Sequence, residues 1–305
     1  MAPDSRDKTT ISTPFGAFRY KRMPFGLRNS ASSIQRLMDI IFSDLDFVFF
    51  YIDDLLVFSR TIEEHTAHVE QVFQRLKDYG LFINPAKCEF AVDTVEFLGF
   101  RVDANGMRPM PSNLKLINDF PPPVDVNGVR RYLGLINHYR KFLPQAATML
   151  YPLTDALKSE KKLASNDQSI NHSKRSLNFS WTSEMAAAFT QSKAALMSPT
   201  VLAHPDPTLP LSIVTDASEF GAGAVLQQKC SKNWQPLEFY SQKSNGAERR
   251  YSVFDRELLA IYLAIKHFRF LLEGRGFTVY TDHKPIVHAL GRISPPLNAR
   301  QERHL

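Results

Sequence analysis

A multidomain protein of the α+β or α/β class is what this sequence predicts, on three observations. Stretches with apolar residues every three or four positions alternate with short apolar runs of strand length along most of the chain. After residue 178 the order reads three strands, a long helix and a further strand, which suits a mixed sheet. Between the halves, KSEKKLASNDQSINHSKRSLN (158–178) is rich in Lys, Ser and Asn and poor in apolar residues, as an exposed linker is.

The elements follow in order. Residues 29–44 read as a helix with Ile34, Leu37, Met38 and Ile41 on one stripe. Residues 47–58 read as two short apolar strands around a polar pair. Residues 63–79 read as a helix that stops before Gly80, with Val69, Val72, Phe73 and Leu76 on one face. VEFLGFRV (95–102) reads as one strand. Pro121-Pro122-Pro123 breaks any helix or central strand. Residues 126–143 read as a helix carrying Val129, Leu133, Ile136, Tyr139 and Leu143. Beyond the linker, 183–197 reads as a helix, and 211–215, 222–228 and 236–241 read as strands. Phe254, Leu258, Ile261, Ile265, Phe268 and Leu272 mark the strongest helix, with Gly274 where a C-cap belongs. FTVYT (277–281) is a strand.

Composition sets wide limits. Apolar residues make up 44% and charged residues 22% of 305, enough for real cores. The net charge of +6 and pI of about 9.2 suit a polyanionic partner, though many proteins are as basic. Cys88 and Cys230 stand far apart, which excludes a disulfide framework and a zinc spacing and suits an intracellular protein. The polar N-terminus lacks a signal-peptide core, and the longest apolar run, 258–265, is too short to span a bilayer. No membrane role is expected.

Two acidic constellations stand out. Asp53 and Asp54 lie between VFFYI and LLVF, so a tight hairpin would present both carboxylates at the tip of an apolar ribbon. Adjacent like charges are most comfortable around a cation, and Mg²⁺ takes hard oxygen ligands plus substrate phosphates. A bare Asp-Asp pair is more often a plain turn. The second set is Asp216 after the strand LPLSIVT, Glu257 on the long helix, and Asp282 after FTVYT. Each alone is ordinary, as a turn residue or a solvated helix side chain. Two strand ends and one helix can nonetheless bring them to one point.

Several segments in order then resemble a known family. YIDD within FFYIDDLLVFS resembles the palm motif of reverse transcriptases, and TPFGAFRYKRMPFGLRNSASSIQRLMD resembles their template and nucleotide segment. INPAKCEF and VEFLGFRV resemble the segments that follow, the last being the primer grip. RRYLGLINHYRKFLPQAATMLYPLTDAL resembles a gypsy-type thumb and connection. TDASEFGAGAVL, RRYSVFDRELLAIYLAIKHFRFLLEG and YTDHKP resemble the ribonuclease H of the same elements. The chain as a whole resembles part of the pol polyprotein of a gypsy-type LTR retrotransposon.

The resemblance implies a partial palm over 1–120, thumb and connection helices over 121–160, a linker over 161–178 and a ribonuclease H-like domain over 179–305. It implies RNA-directed DNA synthesis and cutting of RNA–DNA hybrids by two-metal phosphoryl transfer with Mg²⁺, or Mn²⁺ in its place. Asp53 and Asp54 would be polymerase metal ligands and catalytic carboxylates. Pro24, Phe25, Gly26, Tyr51 and Lys87 would line the nucleotide and template side. Phe97, Leu98 and Gly99 would form the primer grip. Asp216, Glu257 and Asp282 would hold the ribonuclease metals. Arg249, Arg250 and Tyr251 could contact a nucleic-acid backbone, and a solvated basic surface accounts for them equally well. His283 is expected to be structural.

The implied partners are an RNA template, a DNA primer, the RNA–DNA hybrid and deoxynucleoside triphosphates. Protease and integrase segments would belong to the longer product, in an intracellular particle or the nucleus. In the family a third polymerase carboxylate and the fingers precede the first segment matched here, and a fourth ribonuclease carboxylate follows the last. A weakly active or inactive fragment is therefore the expectation. A non-catalytic nucleic-acid-binding remnant is the alternative.

Overall fold

The computed structural model describes residues 2–24, 26–157, 179–198 and 200–290. The predicted linker and Phe25 lie outside these. The chain divides into two compact units, Met1–Phe97 and Leu98–Leu305.

In the first unit, a short hairpin of β1 (Ile11–Thr13) and β2 (Gly16–Phe18) precedes α1 (Ser30–Phe42), β3 (Val48–Tyr51), β4 (Asp54–Val57), α2 (Ile62–Asp78) and β5 (Thr94–Phe97). α1 and α2 close over the β3–β4 hairpin around Met38, Ile41, Phe42, Leu45, Val72 and Leu76. Of the stripes predicted for the helices, Ile34, Met38, Ile41, Val72 and Leu76 reach this core, Val69 is half-buried, and Leu37 and Phe73 stay exposed. Thr61 caps α2 by accepting from Glu64 N–H, while the Glu64 carboxylate accepts from Arg60 N–H. Two donors at the helix start are thereby satisfied.

The second unit opens with a correction. VEFLGFRV is not one strand. The backbone turns at Leu98 (φ 50°) and Gly99 (φ 82°), so β5 ends at Phe97 and β6 (Phe100–Asp103) starts a new hairpin with β7 (Gly106–Pro109). An apolar run with strand composition gives no warning of a two-residue left-handed turn except its glycine. α3 (Pro111–Asn118), α4 (Val126–His138) and α5 (Ala146–Met149) follow, and 151–157 is helical. The whole stripe Val129, Leu133, Ile136, Tyr139 and Leu143 is buried.

α6 (Ser183–Met197) joins the same core through Met185, Ala188, Phe189 and Leu196. Tyr132 and Ser192 hydrogen-bond there at 2.7 Å. Packing therefore departs from the predicted divisions at 120 and 178. Phe100 and Ile117 share a core with α4, and so does α6. Composition marks exposed breaks and carries no record of which apolar faces meet across them.

The remaining elements are β8 (Leu211–Ala217), β9 (Gly221–Cys230), β10 (Asn233–Lys243), α7 (Val253–Leu272), β11 (Phe277–Tyr280) and α8 (Lys284–Leu290). The sheet runs β10-β9-β8-β11, antiparallel except for the parallel pair β8–β11, as a mixed sheet was expected to be. α7 covers it with Ala264, Phe268 and Leu272 against Leu211, Ile213 and Leu226.

Candidate metal-binding carboxylate sites

In the first unit the two-residue turn of the β3–β4 hairpin is Ile52-Asp53, because Tyr51 pairs with Asp54. The predicted turn, Asp53-Asp54, is thus shifted by one residue. Ile52 takes φ 56°, a left-handed conformation that a β-branched residue rarely adopts. Its N–H donates to Gln35 Oε1 of α1 at 2.9 Å, which holds the strained turn in place. Asp53 lies in that turn and Asp54 begins β4. Both are exposed, as is Tyr51, and among the described residues no ion pair engages either aspartate. Sequence reasoning missed Gln35; a polar side chain on an otherwise apolar helix stripe was its only signal.

The other residues predicted for this centre are scattered along the unit. Pro24 is half-buried and its carbonyl accepts from Ser30 Oγ at 3.5 Å. Gly26 is exposed at φ 83°, and Phe25 is outside the described residues. Lys87 is exposed at the end of a single 3₁₀ turn capped by Asn84. Phe97 packs edge-on against Phe49 of β3, with ring centres 5.7 Å apart, so β5 braces the hairpin. Leu98 and Gly99 are fixed within the second unit. Leu98 packs on its core, and the Gly99 carbonyl accepts from Tyr139 Oη at 3.4 Å.

In the second unit the parallel pairing of β8 and β11 does the gathering. Tyr280 pairs with Val214, so two residues further on Asp282 comes level with Asp216. Glu257, in the second turn of α7, meets them from the helix. It is 4% exposed, and its Oε1 accepts from Ala217 N–H at 3.2 Å. Its Oε2 is buried without a hydrogen-bond partner. Burial pushes the Glu257 carboxyl up to about 7. The Ala217 bond opposes this, and the negative charges of Asp282 and Asp216 add to it. All three predicted carboxylates therefore share one electrostatic neighbourhood.

They do not close into a cage: among the described residues no three His, Cys, Asp or Glu side chains stand close enough to hold a metal ion. The donor set still fits a hard divalent cation. It offers oxygens only, and the unpartnered Oε2 is the kind of buried polar atom that such an ion satisfies. Asp216 accepts a hydrogen bond from the Gln145 amide, a contact that no sequence pattern announced.

Arg249 is committed to the protein. Its guanidinium donates to Tyr151 Oη at 2.9 Å, pairs with Glu219 at 3.3 Å and stacks over Tyr151 and Phe220. Arg250 is exposed. The ring of His283 packs edge-on against Phe254.

Residues 1–102 match a family model described as reverse transcriptase (RNA-dependent DNA polymerase), and residues 181–279 match an RNase H-like domain found in reverse transcriptase. Among curated proteins, the retrovirus-related Pol polyprotein from transposon 412 of Drosophila melanogaster is 34% identical over 293 residues, 95% of this chain and 22% of that protein. The transposon Tf2-3 polyprotein of Schizosaccharomyces pombe is 33% identical over 301 residues, 97% of this chain and 21% of that one. The chain thus spans about a fifth of these relatives' length. Among solved structures, a foamy viral protease-reverse transcriptase in complex with double-stranded DNA superimposes with a TM-score of 0.79 at 20% identity, covering all of this chain and 51% of that one. The same viral protein with an RNA/DNA hybrid gives 0.77 at 20%, over all of this chain and 40% of that one. At that identity the likeness is one of fold. No helix among the described residues is long and apolar enough to cross a membrane.

Proposed function

The chain belongs to the reverse transcriptase and ribonuclease H proteins of retrotransposon Pol polyproteins, and from that premise we propose two phosphoryl-transfer reactions for its two carboxylate centres. Asp53 and Asp54 serve RNA-directed DNA synthesis from deoxynucleoside triphosphates on a primed template. Asp216, Glu257 and Asp282 serve cutting of the RNA strand of an RNA–DNA hybrid. Mg²⁺ is the natural ion for both centres, with Mn²⁺ able to replace it. Such an ion, when bound, would activate the attacking oxygen, a primer hydroxyl at the first centre and a water at the second, and would stabilise charge at the leaving oxygen.

Glu257 carries the reading. A carboxyl that is nearly fully buried, has one oxygen unpartnered and faces two further carboxylates is unfavourable unless something positive joins it. Burial, with the charges of Asp282 and Asp216, pushes the Glu257 carboxyl up to about 7, and a cation bound beside it would favour its anionic form. The Ala217 N–H fixes Oε1, which leaves Oε2 to face the gathered charges. At the other centre, the Ile52 turn held by Gln35 keeps Asp53 exposed at the ribbon's tip.

The test is cleavage of a hybrid whose RNA strand is end-labelled, by the 305-residue chain in Mg²⁺ and in Mn²⁺, against Glu257→Gln and Asp282→Asn. We expect weak metal-dependent cleavage of the RNA strand alone, lost in both variants. Hybrid binding that is equal in all three proteins, with no cleavage in any, would instead support a non-catalytic nucleic-acid-binding remnant.

A further inference from the structure

Gln145 comes from the segment before α5, 71 residues before Asp216, yet its amide Nε2 donates to Asp216 Oδ2. Its backbone is left-handed at φ 48°, a strained conformation for a residue with a side chain.

The surrounding chain holds that conformation. Arg140 donates to the Ser241 carbonyl at 2.7 Å, and Ala147 N–H donates to Ser241 Oγ at 3.0 Å. Thr148 Oγ1 meets Ser218 Oγ at 3.2 Å. The strand opposite Asp216 lies close against the segment. Gly223 pairs with Asp216 in register, and a Cβ there would sit 3.4 Å from Gln145 Cγ. A Cβ on Gly221 would meet Gln242 O at 2.7 Å and the Ala147 methyl at 3.3 Å. The small-residue run 221–224 is in this sense a docking floor for 145–148.

A strained residue, a rigid mount and a glycine-lined approach all serve one contact to a candidate metal ligand. Partners that fix a ligand's orientation commonly change metal affinity by ten- to a hundredfold.

We propose that Gln145 is a positioning residue of the hybrid-cutting centre: its amide holds one oxygen of Asp216 so that the other is presented to a divalent cation alongside Glu257. This rests on the reading of Asp216, Glu257 and Asp282 as a metal centre. It adds that the connection segment, and not the ribonuclease H-like sheet alone, sets the geometry of that centre.

The experiment is a Mn²⁺ titration of the full chain, following the free-ion electron paramagnetic resonance signal, with thermal unfolding measured on the same samples. The variants are Gln145→Met, which keeps volume and removes the donor, Gln145→Gly, which relieves the backbone and removes the donor, and Glu257→Gln. In the absence of metal we expect Gln145→Met to keep its melting temperature and Gln145→Gly not to lower it. Both should weaken the Glu257-dependent Mn²⁺ site by about tenfold. Unchanged affinity in Gln145→Met, with a wild-type site that Glu257→Gln abolishes, would overturn the positioning role alone. Loss of affinity that only tracks loss of folded protein would do the same. Absence of any Glu257-dependent Mn²⁺ binding in the wild type would overturn both this role and the metal-centre reading beneath it.

Discussion

Replacing Glu257 by Gln should stabilise the metal-free chain, and only above the acid range. The folded carboxyl is raised from the ordinary 4.5 to about 7. At roughly 1.4 kcal/mol per pH unit, that rise is worth at most about 3.5 kcal/mol. The sign follows from which state binds the proton. Below pH 4.5 both folded and unfolded chains hold it, so the wild type pays nothing for Glu257. As pH rises from 4.5 to 7 the unfolded chain releases its proton while the folded chain keeps it, so wild-type stability falls through that window. Above 7 the loss is complete and constant. Glutamine has no proton to lose, keeps an oxygen for Ala217 N–H, and places an amide where the unpartnered Oε2 now lies. Urea unfolding in the presence of a chelator, from pH 4 to 8.5, reads the difference directly. The two curves should coincide at the acid end, diverge through the window, and run parallel above pH 7 with the variant more stable by on the order of 2–3 kcal/mol. A variant equally stable or less stable than wild type at pH 8 would refute the claim that Glu257 is a buried carboxylate awaiting a cation.

Two further substitutions test the frame around the centres. Gly106→Ala should lower stability by at least about 2 kcal/mol in urea unfolding, because Gly106 sits at φ 137° and an added Cβ would lie 2.2 Å from the Leu202 carbonyl that bridges to Met107; a loss below about half that figure would show that the bridge is free to shift. Ile52→Asn should raise stability by up to about 1 kcal/mol, since asparagine tolerates the left-handed turn that isoleucine holds at φ 56°. A lower denaturation midpoint would mean that the Ile52 side chain contributes more by packing than its backbone costs.

Much of this protein could be read along the chain because helix and strand periodicities are local. The apolar stripes of α4 and α7, and that of α1 apart from Leu37, name residues that reach the cores, and the strands of the mixed sheet fall where alternation and flanking turns put them. The acidic positions 53, 54, 216, 257 and 282 are each ordinary taken alone, and they could be singled out because the segments around them resemble reverse transcriptase and ribonuclease H motifs. The sequence by itself therefore determined the elements, the fold class and which carboxylates to watch. What it could not contain were relations between distant residues. The strand expected over 95–102 breaks at Leu98-Gly99, and the turn at the aspartates falls on Ile52-Asp53, since one or two residues of left-handed backbone leave almost no compositional trace. The helix 183–197 packs with 100–157 because burial depends on which faces meet in space. Gln35 on Ile52, Gln145 on Asp216 and the unpartnered oxygen of Glu257 exist only once the chain has folded. Each is a short-range force between groups far apart in sequence, and only tertiary structure decides which of those become neighbours.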